Sequence, residues 1–343
     1  MNQYRLIQGD AVESLRGIPA GVAHALCTSI PFWLQRKYEG KSAHGREETR
    51  EQWATQQVAV MREAKRVLRK DATAFVVVGE TYTTRKTSDG LKLSEASLQA
   101  PYLAEQLRED GWWIKGLVIL EFDNPTPSSP TDRPRQVHQY GILLAQSPDY
   151  FWDYISSKTP GVGYDVLLRS VWSGPRENAW RSKRIGFKHT SVYPRWVPDR
   201  YLKAAVSEGG VCSRCGSPWL PKIVSSKGGS KGKSWHDHQD DSFRGNAKKT
   251  SSNDYVPAKI VGWKPGCSCG AEKDRPLVID PFAGTSTTGV SALSLDCRFL
   301  GIDLDPRCIR LSEERLKEHL ETLSAPLFDS AKAGRRQRDL FNE

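Results

Sequence analysis

The chain has 343 residues, a formal net charge of +10 and seven cysteines. That length suits one large α/β domain with insertions, or two modest domains. Its longest apolar runs, such as Ala74 to Val78, are strand-length and far short of the roughly 20 residues of a membrane helix, so no membrane partner is expected.

The first ten residues lack the basic-then-apolar pattern of a secretory leader, and a cytoplasmic location is the expectation. The basic excess favours a polyanionic partner, because lysine and arginine that neutralise phosphates release counterions. A generally basic enzyme is the alternative reading of charge alone.

In chain order, a strand is predicted from Ala23 to Thr28 and a polar helix from Arg46 to Arg69. A β-branched strand follows at Thr73 to Val78, then a helix from Ser94 to Glu109 and strands at Gly116 to Glu121 and Tyr140 to Ala145. The Pro-, Ser- and Asp-rich stretch from Asn124 to Arg135 reads as a loop. The Ser/Gly/Lys-rich stretch from Ser225 to Asp254 has almost no aliphatic residues, so it cannot bury a core and reads as a flexible insertion. After it come a strand at Leu277 to Asp280, a helix from Thr287 to Leu295, a strand at Arg298 to Asp303 and a helix from Pro306 to Leu320. Strands spaced by helix-length segments imply an α/β fold, a parallel sheet with helices on both faces.

The segment Asp280-Pro281-Phe282-Ala283-Gly284-Thr285-Ser286-Thr287-Thr288 joins a strand to a helix. A small-residue turn there lets a ligand approach the backbone at the carboxyl end of the sheet. The hydroxyls that open the helix suit capping and the binding of a carboxylate. Asp303 ends the next strand, where an acidic side chain in a nucleotide-binding α/β fold accepts from ribose hydroxyls. Neither three spaced glycines nor a Lys-Ser/Thr phosphate loop is present, which disfavours nicotinamide, flavin and nucleoside triphosphate.

This segment resembles the S-adenosylmethionine motif of the DNA amino-methyltransferases, Asp-Pro-Phe-x-Gly-Ser-Gly-Thr-Thr, with Thr285 and Ser286 as departures. Gln8-Gly9-Asp10-Ala11 resembles the same family's N-terminal segment, in which the aspartate accepts from the adenine amine of the cofactor. The resemblance thus implies a Rossmann-like methyltransferase sheet and a cofactor site of Asp10, Ala11, Asp280, Pro281, Phe282, Gly284, Thr285, Thr287, Thr288 and Asp303.

Ser29-Ile30-Pro31-Phe32 follows a predicted strand and resembles the family's catalytic tetrapeptide. Ser-Pro-Pro-aromatic is usual there for cytosine N4 enzymes and Asp-Pro-Pro-aromatic for adenine N6 enzymes. An exocyclic amine is a poor nucleophile because its lone pair is delocalised into the ring. Two acceptors on its hydrogens help to localise that pair. The Ser29 hydroxyl can be one and the Ile30 carbonyl the other, while Phe32 offers an aromatic face to a base extruded from the duplex. Ile30 in place of proline loosens the backbone and restores an amide hydrogen.

The catalytic motif precedes the cofactor motif, as in the permuted beta group of these enzymes. Thr131-Asp132-Arg133-Pro134 with His138 and Tyr140 resembles a family segment near the target base. Arg169-Ser170-Val171-Trp172, His189 and Val192-Tyr193-Pro194 resemble the stretch leading to the cofactor strand. For Arg133, His138 and His189 individually, packing is as good a reading as function. Trp33, Arg36, Lys37 and the loop around Asn124 are candidates for DNA contact.

Cys212-x-x-Cys215 and Cys267-x-Cys269 form two close pairs, a pattern that in a cytosolic chain points to zinc rather than disulfides. Four protein ligands leave no open position, so the site reads as structural, a staple for a segment without a core. Free thiols or a redox pair are the alternative. Cys27, Cys297 and Cys308 read as packed core residues. Lys222, Lys227, Lys231, Lys233, Arg244, Lys248 and Lys249 in the bracketed loop can track a DNA backbone or simply be solvated.

The expected organisation is a catalytic half at 1–211, a zinc-stapled insertion at 212–270, a cofactor half at 271–323 and a tail at 324–343. The expected activity is S-adenosylmethionine-dependent methylation of DNA at cytosine N4 after base flipping, in a restriction-modification system, a phage or an orphan role. Adenine N6 methylation and a catalytically weak DNA-binding relative are the alternatives. RNA is also open as a substrate, although nothing here reads as an RNA-binding module.

Overall fold

A computed structural model describes residues 3–35, 45–84, 86–88, 90–125, 130–157, 168–177, 180–182, 187–189, 192–224 and 259–324. Its elements in chain order are β1 (Tyr4–Gln8), α1 (Ala11–Arg16), β2 (Ala23–Ser29), α2 (Arg50–Val67), β3 (Leu68–Val78), α3 (Gln99–Glu109), β4 (Trp113–Phe122), β5 (His138–Ala145), β6 (Val171–Gly174), β7 (Trp180–Ser182), β8 (Phe187–His189), α4 (Trp196–Ala205), β9 (Val211–Cys212), β10 (Leu220–Val224), β11 (Lys259–Lys264), β12 (Lys273–Asp274), β13 (Leu277–Asp280), α5 (Thr287–Ser294), β14 (Arg298–Asp303) and α6 (Pro306–Ser324). Every helix and strand expected from the pattern is present, with ends moved by a few residues. Thr49 caps α2, its hydroxyl accepting from Gln52 N at 3.1 Å, and α2 runs into β3 without a loop. Of the basic loop inside the cysteine pairs only Lys222 is described; Lys227 to Lys249 lie outside the described residues, as do Arg36, Lys37 and the tail after Ser324.

Eight strands form one sheet in the order β1-β14-β13-β2-β3-β5-β4-β6. The sheet is not wholly parallel as expected: β5 runs antiparallel to both β3 and β4, while the other pairings are parallel. A parallel return needs a crossover segment, usually a helix. The stretch between Phe122 and His138 carries four prolines and forms no helix among its described residues, so the chain turns straight back. The reversal carries His138 and Tyr140 to the edge where the parallel strands have their carboxyl ends, Tyr140 pairing with Val78.

Central strands are apolar on both faces, as a doubly covered sheet requires. Val76, Val77, Val78, Ile142, Leu144, Val278 and Ile279 are fully buried. Helices α1, α2 and α3 pack on one another over one side, and α4, α5 and α6 over the other. Within the second layer Phe75 stacks on Trp172 and on Tyr201, each at a centroid distance of 5.1 Å. Cys27, Cys297 and Cys308 are buried, as expected. No described helix is long and apolar enough to cross a membrane.

The Phe75 ring lies over Gly141 of the neighbouring strand, in the space a side chain there would fill. Gly141→Ala is expected to overpack this stack and cost about 1–3 kcal/mol, read as a lower urea midpoint at unchanged m-value. An unchanged midpoint would show that the stack yields freely.

Candidate active site

Strand order reverses direction between β13 and β2: from β2 the chain proceeds outward to β3, and from β13 outward to β14. In open α/β sheets such a switch point leaves a crevice at the carboxyl ends of the strands, where ligands bind. Asp280 ends β13, Ser29 ends β2, Asp303 ends β14, and Asp10 follows β1. Residues from both ends of the sequence therefore meet along one sheet edge. Gly9 N donates to the Asp303 carbonyl at 3.0 Å, which ties the β1 end to the β14 end.

Asp280 is fully buried. Its carboxylate accepts from Phe282 N at 3.0 Å and from the Thr288 hydroxyl at 2.5 Å. Burial pushes its pKa up to about 6, against the downward pull of those hydrogen bonds. Asp303 is raised to about 6 as well, again chiefly by burial. One of its oxygens accepts from Gly284 N at 2.8 Å and the other from Asp305 N at 2.9 Å. Asp10 caps α1, accepting from Val12 N at 2.9 Å and Glu13 N at 3.2 Å, and Ala11 is buried beneath it.

The turn after Asp280 is held from below. Pro281 is buried, whereas Phe282 and Gly284 reach the surface in part. Ser312 of α6 donates to the Gly284 carbonyl at 2.8 Å. Arg315, one helical turn on, donates to the Thr285 carbonyl and hydroxyl, both at 3.1 Å, and to the Thr287 hydroxyl at 3.0 Å. Thr285, Thr287 and Thr288 are buried, and their hydroxyls are engaged within the protein.

Ser312 and Arg315 escaped the sequence reading. The available signal was a cation three residues from a serine on the same face of α6 as the buried Leu311 and Leu316. Tyr193 escaped it as a polar group too. Its hydroxyl is hydrogen-bonded to Thr288 and lies 3.8 Å from the Cys27 sulfur.

Gly284 has φ +54 and Ser286 φ +57. The backbone keeps the left-handed conformation that glycine adopts without penalty, although a serine occupies the second position. Ser286 is fully buried, and its hydroxyl has no hydrogen-bond partner among the described residues.

The catalytic-type loop is tied at several points. Ile30 N donates to the Val77 carbonyl at 3.3 Å, a bond that proline cannot make. The expected loosening at Ile30 is therefore not found; the restored amide extends the β2–β3 pairing by one rung. Trp53 of α2 donates its indole N–H to the Pro31 carbonyl at 2.8 Å. Phe32 is 7% exposed and its ring lies against the Gly79 backbone. Trp33, expected at the DNA surface, is fully buried instead, its amide held by Gln99 and its indole N–H by the Glu47 carbonyl, both at 2.9 Å. The Ser29 hydroxyl is half-buried, and no described group bonds to it or to the Ile30 carbonyl.

Arg133 lies over the Tyr82 ring at 4.1 Å, and His138 meets Tyr140 edge-on at 5.0 Å. Trp172 is a core residue. His189 is described in backbone only, as part of the β7–β8 hairpin.

The four cysteines converge, their sulfurs all within 4.8 Å of one another. Backbone amides of Arg214 and Cys215 point at the Cys212 sulfur and draw its pKa down to about 6. This cluster lies at the amino ends of the strands: His24, the second residue of β2, bonds to the Gly216 carbonyl at 3.0 Å. It is remote from the edge that carries Ser29 and Asp280.

Comparison with known proteins agrees with this arrangement. The profile of the N6/N4 methyltransferase family, described as DNA methylase, matches residues 23–213. Type II methyltransferase M.XycI of Xanthomonas campestris pv. cyanopsidis is 30% identical over 91% of this chain and 87% of its own. M.Cfr9I of Citrobacter freundii is 25% identical over 92% and 89%. PvuII DNA methyltransferase (cytosine-N4-specific) shares the fold with a TM-score of 0.59 at 13% identity, over 93% of this chain and 92% of that one. A DNA modification methylase of Thermus thermophilus, TTHA0409, solved in complex with S-adenosyl-L-methionine, does so at 0.54 and 18%, over 92% and 94%. The chain belongs to the DNA amino-methyltransferase family, whose members methylate DNA at adenine N6 or cytosine N4.

Ser286→Gly is expected to stabilise the protein. It removes a left-handed residue costing about 1–2 kcal/mol and an orphaned buried hydroxyl costing about 1–3 kcal/mol, against about 0.5–1 kcal/mol of added chain entropy. A gain of about 1 kcal/mol or more should appear as a higher urea midpoint; a lower one would mean that the hydroxyl is needed where it stands.

Proposed function

We propose that this protein transfers a methyl group from S-adenosylmethionine to the N4 amine of cytosine in DNA, as the modification enzyme of a restriction-modification system. The observation that carries this reading is the pair of acceptors at the end of β2. The Ser29 hydroxyl and Ile30 carbonyl are adjacent, have no partner among the described residues, and stand beside the strand that ends in Asp280. A serine rather than an aspartate at this position favours cytosine over adenine. The type II relatives and the fold shared with a cytosine-N4-specific enzyme support the same reading.

The chemistry of the donor set fits the cofactor. Asp10, Asp280 and Asp303 make the edge acidic, which suits a cationic ligand rich in hydrogen-bond donors and disfavours a diphosphate. Each Asp303 oxygen has lone pairs beyond the one backbone N–H it accepts, so ribose hydroxyls can bond there, and Asp10 is the candidate for the adenine amine. The turn from Pro281 to Gly284 would pass beneath the ligand, while Thr285, Thr287 and Thr288 hold the turn's shape. S-adenosylmethionine, when bound, supplies an electrophilic methyl on a sulfonium.

The protein's own work is to orient the amine. Ser29 and Ile30 accept its two hydrogens and turn the lone pair out of conjugation. Phe32 packs against the base, and low local dielectric strengthens each of these interactions. Serine is no strong base, so the proton leaves after the amine has gained its methyl.

We also propose that Cys212, Cys215, Cys267 and Cys269 hold a structural Zn2+. Their convergence within 4.8 Å compares with about 3.8 Å between sulfurs in a tetrahedral site with 2.3 Å Zn–S bonds.

Methyl-labelled cofactor and mixed-sequence DNA, followed by nucleoside mass spectrometry, should yield labelled N4-methylcytosine, with Ser29→Ala lowering the rate about a hundredfold, as for loss of one positioned transition-state contact. Labelled N6-methyladenine would replace cytosine by adenine as the target. Cofactor affinity should also depend on pH. Protonation turns Asp303 from an acceptor into a donor, so Kd should be flat above about pH 7 and rise about tenfold per unit below about pH 6, a slope that Asp303→Asn removes. The same raised pKa values mean that in the free protein these two groups subtract stability as pH rises from the ordinary carboxylate range to about 6.

A further inference from the structure

The cysteine cluster sits about 20 Å from Ser29, the length of the seven-residue β2 at roughly 3.3 Å per residue. It is nevertheless built into the strands that make the active site. Arg69, at the start of β3, donates to the Cys215 carbonyl at 2.6 Å. Gly216 takes φ +69, and a side chain there would meet the Arg69 guanidinium at 2.7 Å, so the turn after Cys215 is shaped to receive that contact. His24 donates from Nε2 to the Gly216 carbonyl and accepts on Nδ1 from Leu277 N, both at 3.0 Å. Burial and the neighbouring Arg69 hold its pKa down at about 4, so the ring is neutral, with one donor and one acceptor, and both are used.

Leu277 is the first residue of β13. The pairing of β13 with β2 consists of only Val278 with Ala25 and Ile279 with Leu26. His24 therefore adds a tie at the amino end of the narrowest seam in the sheet, and that tie is anchored on the cysteine turn. The run into β13 is fixed from the same place. Lys273 pairs with Cys212 and Asp274 with Val211, and Ser213 N donates to the Glu272 carbonyl at 2.9 Å. One cysteine pair follows α4, which packs on β2 and β3, and the other leads directly into β13.

We propose that the metal centre at Cys212, Cys215, Cys267 and Cys269 is a clamp that sets β13 in register with β2, acting through His24 from the edge of the sheet opposite the active site. It rests on the zinc reading above. Closing the long excursion between the two cysteine pairs orders both the turn that holds His24 and the run into β13. Cofactor affinity then depends on a metal that touches neither cofactor nor DNA.

The test uses the full chain loaded with Co2+. A four-thiolate site gives intense visible and near-ultraviolet thiolate-to-metal absorption, lost in Cys269→Ser. Hydrogen exchange is then followed with and without metal, and in a His24→Ala variant that keeps all four cysteines. Removing the metal should accelerate exchange in peptides covering Ala23 to Ser29 and Leu277 to Asp280 by about five- to thirtyfold, the range for one or two lost hydrogen bonds. Exchange in α2 and α3 should be unchanged. His24→Ala should do the same while keeping the full Co2+ spectrum, and both should weaken S-adenosylmethionine binding.

Absence of the thiolate-to-metal bands would overturn the zinc reading and the clamp with it. Normal bands with an unaltered seam in His24→Ala would overturn the clamp and leave the zinc reading standing. If metal removal unfolds the chain, the metal-loaded His24→Ala protein still decides between these outcomes.

Discussion

The short parallel contact between β2 and β13 is the constraint on which the rest depends. The two strands come from opposite ends of the chain, and their pairing of Ala25 with Val278 and Leu26 with Ile279 is what brings Ser29 and Asp280 to one edge. A slip of one residue in either strand would turn the buried Leu26, Cys27, Val278 and Ile279 toward the opposite layer. The apolar pattern of both strands therefore sets the geometry of the site. Around this seam the protein concentrates its polar ties: Thr288 donates to Asp280 and to the Cys27 carbonyl, Tyr193 closes on Thr288, and His24 bridges to Leu277.

Electrostatics follow from the same placement. Asp280 and Asp303 lie where strand ends and helix starts exclude water, and burial raises both above the ordinary carboxylate range. A donor-rich cation is the partner that relieves such a pair. The buried guanidinium of Arg315 sits on the far side of the turn and is spent on the threonine oxygens, so it shapes the loop without neutralising the acidic edge.

The two departures from the family motif are absorbed in opposite ways. Ile30 gains the backbone hydrogen bond to Val77 that proline lacks, and its side chain fills the core at 3% exposure. Ser286 keeps a glycine-like conformation without a compensating bond, a strain retained because α5 and β14 close over it. Local strain of this kind persists where surrounding packing over-determines the backbone.

How far the molecule was legible from residues alone depended on the range of the force involved. Strands and helices read from periodicity, such as Arg298–Asp303 and Leu277–Asp280, are where the pattern put them, because burial of alternating or helical faces is a local property. The cofactor-type turn, the Ser29 loop and the cysteine pairs were legible for the same reason: each motif is contiguous or nearly so. The reversal of β5, the burial of Trp33, the use of the Ile30 amide, and the contacts of Ser312, Arg315 and His24 were not. Each is set by a partner tens to hundreds of residues away. The amino-acid sequence by itself determined the elements and the family, since motif residues and their order are written along the chain. Only the tertiary structure decided which hydroxyls and carboxylates are engaged within the protein, and that the cysteines stand at the edge opposite the active site. Strand register and sheet order place those groups in space, and neither is a property of any single segment.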